Sequence, residues 1–464
     1  MKYVEYPMNA SVFLSLLLLI TTPANTHTEL KQYLVSETAS GTATGEFVHA
    51  MGNRIVRWKD KIYIAYYDAH SEDSWEVKVR AFDHTTGQWF DPVSIGPGAD
   101  NHGGPSLGID SQGYLHIIYG PHGGPMKYRR SRAPGDITAW SSEEMFGSEM
   151  TYANLRVGPN DRLYAFLREA GKPPYERMLT QYTKDGADAW NGPSPLLRIF
   201  QEGRRYGQFP CQLALDNSKG ILHLVGKIHE GTEEINGTCW MTGQNQNLLY
   251  IRSIDQGTTW QGGSGKAPYT KDTGEVIESI RNHGKTTSKA GYVEPLGIFL
   301  NAEGKPTVYY ITRTEQESKT RTVAATRQAN GQWKKTELTS TITRVFGAKW
   351  NPLGGNIVKD GKGNLHLALY LVPQKAAYVL EHFNLPTGEV GILELNHDGR
   401  LVSGSWIKQP DESMARFLPC LERPPLTGCD ENWRPSLIYT EGSMGGMKGA
   451  EQTSINNKVW WVQL

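Results

Sequence analysis

The sequence predicts an all-β protein, a seven-bladed β-propeller of four-stranded antiparallel blades, and three observations lead to that prediction. Strand–turn–strand patterns recur along the chain, and most of them are followed by a second pattern that ends in tryptophan. Glycine is abundant, at 50 of 464 residues, and long apolar helical stripes are missing. Turn-rich chains with many short strands are typical of all-β folds.

The N-terminus is predicted to lie outside this fold. An apolar run, "SVFLSLLLLI" (11–20), follows Lys2 and precedes a small and polar stretch. The run is too short to span a bilayer, and this order of regions is that of a secretory signal. We therefore expect residues 1–27 to be a signal peptide, residues 28–464 to form a single β-propeller catalytic domain, and the mature protein to be secreted. A buried N-terminal strand or an anchor is the alternative.

The repeat consists of an inner hairpin and an outer hairpin. Each inner hairpin has a strand, a tight polar turn and an alternating strand, and six of them occur, at 54–68, 105–120, 153–168, 212–229, 296–313 and 355–370. The outer pattern ends at Trp89, Trp140, Trp190, Trp260 and Trp333. Four-stranded units with a period of about 50 to 60 residues are typical of propeller blades.

The remaining blade and one outer turn complete the pattern. "SIDQGTTW" (253–260) resembles the Asp-box of sialidase-like propellers, in which a polar turn and a tryptophan lock the outer hairpin. A seventh blade is predicted to combine 433–441 with 458–464, so that the C-terminal strand helps to close the ring. His116, His223 and His366 share one repeat position, and a repeated position indicates packing before chemistry.

Two histidines mark the second inner hairpin. The tripeptide HGG begins at His102 and again at His122, at the two ends of one predicted hairpin. Because Asp110 and Gly113 bracket the turn, His102 is expected beside Pro121, with His122 next in line. Cross-strand neighbours lie about 5 Å apart, so both imidazoles are predicted at one edge of the propeller.

Pairing residues outward from the turn in the same way places further polar side chains at this edge. Tyr152 is expected opposite Arg168 in the third inner hairpin, and Tyr206 opposite His229 in the fourth. Arg204 and Arg205 lie beside Tyr206 and are assigned with it to substrate binding. Three adjacent blades would thus bring titratable and cationic groups together, whereas the alternative is an ordinary polar rim.

This set of residue types favours β-elimination from a uronic acid. Most glycosidases need two carboxylates about 5 to 9.5 Å apart, and these three hairpins offer no such pair. Arg168 would neutralise the substrate carboxylate, which makes the neighbouring C5 proton easier to remove. His102 and Tyr152 would act as the acid and base pair, with either assignment of the two roles, and His122 is the next catalytic candidate.

The segments 100–131 and 151–169 and the single clear Asp-box resemble the BNR-repeat ulvan lyases of polysaccharide lyase family 25. The resemblance implies a secreted seven-bladed propeller that cleaves ulvan, a sulfated rhamnose–uronic acid polysaccharide, and leaves 4,5-unsaturated uronate ends. The family's paired histidines would fall on His102 and His122, its tyrosine and arginine on Tyr152 and Arg168, and a substrate-contacting tyrosine on Tyr206.

The resemblance also implies a structural zinc and no organic cofactor. Cys211, His229 and Cys239 would supply three ligands, and His223 or His283 the fourth. A disulfide between Cys211 and Cys239, or two buried thiols, is the alternative. A second pair, Cys420 and Cys429, is close enough in sequence to close a small loop.

Other functions remain open on the same fold. The chain carries no net charge, which argues against a nucleic-acid surface, and no later segment is long enough to span a membrane. The expected partner is the polysaccharide, bound by a monomer. A glycoside hydrolase of the rhamnosidase or sialidase type is one alternative, although the R-I-P motif of sialidases is absent. A non-catalytic sugar-binding propeller is the other.

Overall fold

The structure is a computed structural model and describes most of the chain beyond the N-terminal segment. The described residues are 30–45, 51–71, 74–98, 102–170, 177–199, 205–232, 245–282, 290–374, 388–411, 413–443 and 455–464. The predicted signal peptide, residues 1–27, lies outside them. Antiparallel strands dominate the described residues, as the sequence predicts, and none of the helices there has the length and apolarity needed to cross a bilayer.

Strands of the first unit follow one N-terminal strand, β1 (Gln32–Ala39). A hairpin joins β2 (Ile55–Trp58) to β3 (Lys61–Ser71), and β4 (Ser74–Asp83) pairs with β3. Two short strands, β5 (Gln88–Trp89) and β6 (Val93–Pro97), both pair with β4 and so complete the outer edge.

The second and third units share one long strand. The strands of these units are β7 (Ser106–Ile109), β8 (Leu115–Tyr119), β9 (Gly124–Arg130), β10 (Glu144–Val157), β11 (Leu163–Ala170), β12 (Arg177–Lys184) and β13 (Asn191–Ile199). The first half of β10 pairs with β9 and its second half pairs with β11. This strand is therefore the outer strand of one unit and the first strand of the next.

Three further units follow the same order. The fourth contains β14 (Arg205–Gln208), β15 (Cys211–Asp216), β16 (Ile221–Thr232), β17 (Asn245–Ser253) and β18 (Glu275–Arg281). The fifth contains β19 (Tyr292–Leu300), β20 (Pro306–Arg313), β21 (Arg321–Arg327) and β22 (Trp333–Glu337). A helix, α1 (Thr339–Phe346), leads into the sixth, which contains β23 (Trp350–Lys359), β24 (Leu365–Pro373), β25 (Glu389–Leu395) and β26 (Leu401–Trp406).

The last unit is built from both ends of the described chain. Its strands are β27 (Ala415–Leu421), β28 (Ser436–Gly442) and β29 (Asn457–Gln463), and β1 pairs with β29 as the fourth strand. The predicted combination of 433–441 with 458–464 is confirmed, since β28 and β29 pair from Ser436 and Gln463 onward. The sequence did not indicate the part played by β1.

The first strands of neighbouring units pack against one another. β7 contacts both β2 and β10, and β19 contacts both β15 and β23, which in turn contacts β27. Asn154 on β10 donates from Nδ2 to the carbonyl oxygen of Cys211 on β15 at 3.2 Å. Arg423, just beyond β27, donates its backbone N–H to Asn53 Oδ1, just before β2. The last unit of the series thus contacts the first.

The Asp-box turn has the conformation that its residues predict. Ser253 Oγ accepts from the backbone N–H of Gly257 at 2.8 Å, and Asp255 Oδ1 accepts from that of Thr259. Trp260 then donates from Nε1 to Gln181 Oε1 on β12 at 2.9 Å. The tryptophan therefore ties the fourth unit to the third as well as closing its own turn.

Candidate active site

The two histidines of the second unit lie face to face. Ser106 pairs with Ile118, whereas counting outward from the turn predicted Ile117 as its partner. If this register is continued to the end of the hairpin, His102 lies opposite His122 rather than Pro121. Their rings are stacked, with centroids 3.9 Å apart and an angle of 19° between the planes. His102 is buried and His122 is exposed.

A glycine beside His102 permits this close approach. Gly120 donates its backbone N–H to the carbonyl oxygen of Gly103 at 3.0 Å. A Cβ atom on Gly103 would lie 1.7 Å from the Gly120 carbonyl oxygen, which is far inside any real contact. The two backbones can therefore meet only because residue 103 has no side chain.

Tyr152 projects from a β-bulge in β10. Thr151 pairs with Arg168 and Asn154 with Phe166, so one extra residue is accommodated between the two pairs. The expectation that Tyr152 stands opposite Arg168 was wrong by this one residue. Tyr152 takes a left-handed backbone conformation with φ of 64°, which costs about 1–3 kcal/mol for a residue with a side chain.

The bulge brings Tyr152 into contact with both neighbouring groups. Its ring lies 5.5 Å from the ring of His102, and its backbone N–H donates to the His102 carbonyl oxygen at 3.4 Å. Arg168 Cζ lies 4.7 Å from the centre of the Tyr152 ring. Arg168 is buried and donates from Nη1 to the carbonyl oxygen of Gly207 at 3.4 Å. Tyr152 therefore lies between an imidazole and a guanidinium.

The fourth unit meets this cluster through its backbone. Tyr206 pairs with Gly231 and Gln208 with His229, so the predicted pairing of Tyr206 with His229 was wrong by two residues. Arg205 begins β14, two residues before the Gly207 carbonyl that Arg168 contacts. Arg204 lies outside the described residues. Both Arg205 and Tyr206 thus have backbone positions next to the cluster.

Two of the predicted zinc ligands, Cys211 and His229, are described by the structure and lie apart. Cys211 pairs with Gly226 on β16, and His229 is three residues further along that strand. Because side chains alternate along a strand, Cys211 and His229 project from opposite faces of the sheet. Cys239 and His283 lie outside the described residues, and His223 contacts Tyr250 OH through Nδ1 at 2.6 Å.

Cys211 has a protein partner. It is a buried free thiol whose Sγ accepts a hydrogen bond from Asn154 Nδ2 at 3.4 Å. Burial raises the pKa of this thiol to about 12. The two described members of the proposed ligand set, Cys211 and His229, are thus separated by the sheet. Cys429 is an exposed free thiol and so forms no disulfide with Cys420.

The repeated histidines are packing residues, as expected. His116 contacts Tyr128 OH through Nδ1 at 2.8 Å and Asp110 through Nε2 at 3.2 Å. His366 contacts Asp360 through Nε2 at 2.9 Å. In these two hairpins the histidine of the second strand thus braces the aspartate that forms the turn, whereas His223 bonds to Tyr250.

Three potential metal ligands, Asp360, His366 and Glu394, do meet in the sixth unit among the described residues. Two of them already bond to each other, through His366 Nε2 and Asp360 Oδ2. Glu394 forms an ion pair with Arg434 at 2.9 Å. The group is therefore satisfied by protein partners and forms a structural network.

The sequence analysis missed a second tyrosine–arginine pair at the same edge. Tyr292 pairs with Arg313 in the fifth unit, and Arg313 Cζ lies 5.7 Å from the tyrosine ring. Counting residue pairs outward from the turn of the hairpin at 296–313 would have predicted this pairing. Arg313 donates to the Ala290 carbonyl oxygen at 2.7 Å and Tyr292 OH to that of Pro352 at 3.2 Å. Because its hydroxyl is bonded to a backbone carbonyl of the sixth unit, Tyr292 is assigned with Arg313 to packing.

An ion cluster in the sixth and seventh units was also missed. Arg416 donates from Nε to Glu441 and from Nη1 to Glu389, both at 2.9 Å. Desolvation by burial raises the pKa of Glu389 to about 7, in spite of the neighbouring guanidinium. The two carboxylates are held by one arginine, so this arrangement contributes first to the packing of the two units.

Repeated antiparallel units, an Asp-box turn and a polar cluster at one sheet edge together define a repeat protein of the all-β class. The chain belongs to the BNR repeat-containing family, whose sequence profile matches residues 59–341.

Curated relatives at low identity are named as ulvan lyases. The chain is 24% identical over 296 residues to "Ulvan Lyase-PL25" of Pseudoalteromonas sp. (strain PLSV), covering 56% of this chain and 50% of that protein. It is 22% identical over 345 residues to an ulvan lyase of Alteromonas sp. (strain LOR), covering 67% of this chain and 56% of that protein. The chain thus spans about half the length of the curated relatives it matches.

Solved structures share the fold. A polysaccharide lyase described as PL25 ulvan lyase superposes with a TM-score of 0.62 at 14% identity, over 92% of this chain and 95% of that one. The same description with bound -[GlcA(1-4)Rha3S]- gives a TM-score of 0.63 over the same shares. At this identity the similarity establishes the all-β fold.

Proposed function

We propose that this protein is a polysaccharide lyase that cleaves ulvan by β-elimination and leaves 4,5-unsaturated uronate ends. The observation that carries the proposal is the cluster of His102, His122, Tyr152 and Arg168, which combines two adjacent units into one site. The names of the curated relatives support the choice of ulvan, and the BNR family profile spans these residues' part of the chain.

Arg168 is the group that binds the uronate carboxylate. Its guanidinium is permanently charged and offers a planar fork that matches a carboxylate. When the C5 proton leaves, negative charge spreads onto that carboxylate, and a fixed cation stabilises the enediolate more than the ground state. The contact with the Tyr152 ring and the bond to the Gly207 carbonyl hold the guanidinium in place before substrate arrives.

His102 and Tyr152 transfer the protons. One removes the C5 proton, the C4–C5 double bond forms, the bond from C4 to the leaving oxygen breaks, and the other group protonates that oxygen. The 5.5 Å between the two rings allows both to reach one sugar ring. Exposed His122, stacked on His102, is the first of these groups that a polysaccharide chain meets.

The substrate extends towards the fourth unit in this proposal. Arg205 and Tyr206 have backbone positions in β14 near the Gly207 carbonyl that Arg168 contacts, and we propose Tyr206, Arg205 and Arg204 as substrate-binding residues on this side, although Arg204 lies outside the described residues. A sulfated polysaccharide is polyanionic, so cations at this position add attraction without taking part in the bond changes.

The seven units are proposed to close into a propeller with this site at one rim. The contacts between successive first strands, and the bond from Arg423 to Asn53 between the last and first units, support a closed ring. Pairing of β1 with β29 supports it too, because both ends of the described chain then belong to one blade. The protein is proposed to act as a secreted monomer, exported through the signal-like residues 1–27.

The glycoside hydrolase alternative would need a pair of available carboxylates. Glu389 and Glu441 are two carboxylates that lie close together among the described residues, and Arg416 engages both. One experiment separates lyase, hydrolase and binding module. Purified protein is incubated with ulvan while ultraviolet absorbance of unsaturated uronates and new reducing ends are both recorded.

The lyase gives both signals in equal amounts. Reducing ends without absorbance would contradict the proposal in favour of a hydrolase. Neither signal, with ulvan retained by immobilised protein, would contradict it in favour of a binding module.

A further inference from the structure

A segment that crosses the turn ends of the first strands divides the space there into two cavities. This crossing segment, residues 422–433, follows β27, and the cavities on its two sides have volumes of about 380 and 290 Å³. Leu426 donates its backbone N–H to the Val157 carbonyl oxygen at 2.9 Å, and Asn217 donates to that of Thr427. These bonds fix the segment between several units.

The cavities lie apart from the candidate active site. Arg156 lines both of them and is four residues from Tyr152 on the same strand. At about 3.3 Å per residue, the two positions are separated by roughly 13 Å along β10. A ligand in these cavities would therefore not touch the proposed catalytic groups.

Positive charge exceeds negative charge in the two linings. Five cations line them, Arg57, Lys59, Arg156, Lys359 and Arg423, against three acids, Asp360, Glu422 and Asp430. Two of the acids are engaged by other side chains, since Glu422 pairs with Arg57 at 2.9 Å and Asp360 with His366.

Arg156 is the cation that lines both cavities from β10. It donates from Nη2 to the Pro424 carbonyl oxygen at 3.1 Å and, within the described residues, forms no ion pair with a carboxylate. Burial, and then the like charge of Arg423, lower the pKa of Arg156 to about 9. Arginine keeps its proton at neutral pH, and this half-buried charge faces only a carbonyl oxygen, so an anion in the adjoining cavity would stabilise it.

We propose that a small inorganic oxyanion, of the sulfate or phosphate class, binds beside the crossing segment against Arg156 and Arg423, which line both cavities. Two guanidinium groups at a cavity wall suit a tetrahedral oxyanion, since each can donate two parallel N–H bonds. An anion held against both guanidinium groups would also brace the crossing segment, because Arg423 belongs to it and donates to the Met51 carbonyl oxygen at 2.7 Å. The bound anion thus stabilises the contact between the last unit and the first.

The test compares three proteins in sulfate. The melting temperature of the wild type, Arg156→Gln and Arg344→Gln is measured while sodium chloride is replaced by sodium sulfate at constant ionic strength. Arg344 is an exposed arginine on α1 and serves as the matched control. The wild type and the control should show a saturable rise, about 2.7 kcal/mol of added stability at a hundred times the dissociation constant.

Arg156→Gln should show only the shallow, linear rise that excluded salts cause in any protein. A linear rise in the wild type, or a saturable rise that survives in Arg156→Gln, would overturn the proposal. If Arg156→Gln does not fold, Arg156→Lys replaces it, and the sulfate concentration at half-saturation should increase several-fold. An unchanged half-saturation in the lysine variant would equally overturn it.

The outcome is separable from the lyase proposal. Ulvan cleavage by folded Arg156→Gln at low temperature should equal that of the wild type, because the cavity lies away from His102 and Tyr152. A failed lyase assay would leave the sulfate titration unaffected, and the reverse also holds.

Discussion

Replacement of Arg168 by alanine should separate the part of this guanidinium in catalysis from its part in packing. In catalysis, a fixed charge that stabilises a developing anion contributes about 10²–10³-fold, or roughly 2.7–4 kcal/mol. In packing, the variant loses the 4.7 Å contact with the Tyr152 ring and the long 3.4 Å bond to the Gly207 carbonyl oxygen. These two contacts are together worth about 1–3 kcal/mol of folding stability.

Arg313→Ala is the matched control for the packing part. Arg313 also lies over a tyrosine ring, at 5.7 Å, and also donates to a backbone carbonyl oxygen, at 2.7 Å, but in the fifth unit. It should lower the free energy of unfolding by a similar amount and leave ulvan cleavage unchanged. The assay is the initial rate of absorbance increase on ulvan, measured below the melting temperature of both variants.

Arg168→Lys refines the same experiment. Lysine keeps the charge but loses the fork, so a partial rescue of the rate is expected, to a level between those of the wild type and the alanine variant. The reasoning would be refuted if Arg168→Ala retained more than about a tenth of the wild-type rate, a loss far below that expected for an oxyanion-stabilising group. Equal rate losses in Arg168→Ala and Arg313→Ala would refute it as well.

Three further predictions test the cluster and its surroundings. Tyr152→Phe and His102→Asn should each lower the rate of double-bond formation by about 10²–10⁴-fold with unchanged circular dichroism, and near-normal rates would remove either residue from acid–base catalysis. Gly103→Ala should lower the free energy of unfolding by about 1–3 kcal/mol in chemical denaturation and should also lower the rate of ulvan cleavage. The reason is that a Cβ atom 1.7 Å from the Gly120 carbonyl oxygen forces the two histidines apart. Wild-type stability of this variant would contradict the close approach of the two backbones. The pKa of Glu389 is about 7 in the folded protein, above its value of 4.5 in the unfolded chain. The contribution of this residue to the free energy of unfolding is therefore complete below pH 4.5 and is lost as the pH rises to 7. The loss of stability is at most about 3.4 kcal/mol, from about 2.5 pH units at about 1.36 kcal/mol each. Glu389→Gln should flatten this pH dependence in urea titrations at several pH values, whereas an unchanged dependence would exclude Glu389 as its source.

Local sequence was sufficient to predict the repeat. Tight turns depend on a few neighbouring residues, such as the Ser253, Asp255 and Gly257 of the Asp-box, whose bonds the structure reproduces. The alternation of side chains likewise predicted the inner hairpins and the pairing of 433–441 with 458–464. The same local information identified His102, His122, Tyr152 and Arg168 as members of one cluster.

The sequence by itself thus determined which residues form hairpins and which edge of each hairpin carries polar groups. Only the tertiary structure decided how those groups meet. The bulge at Tyr152, the stacking of His102 on His122 and the separation of Cys211 from His229 each depend on a register difference of a few residues. Register depends on the exact turn type, on bulges and on which face is buried, and residue counting from the sequence does not give these to within one residue. No turn joins β1 to its partner β29, which lies more than 400 positions along the chain, so only packing in the folded protein brings them together.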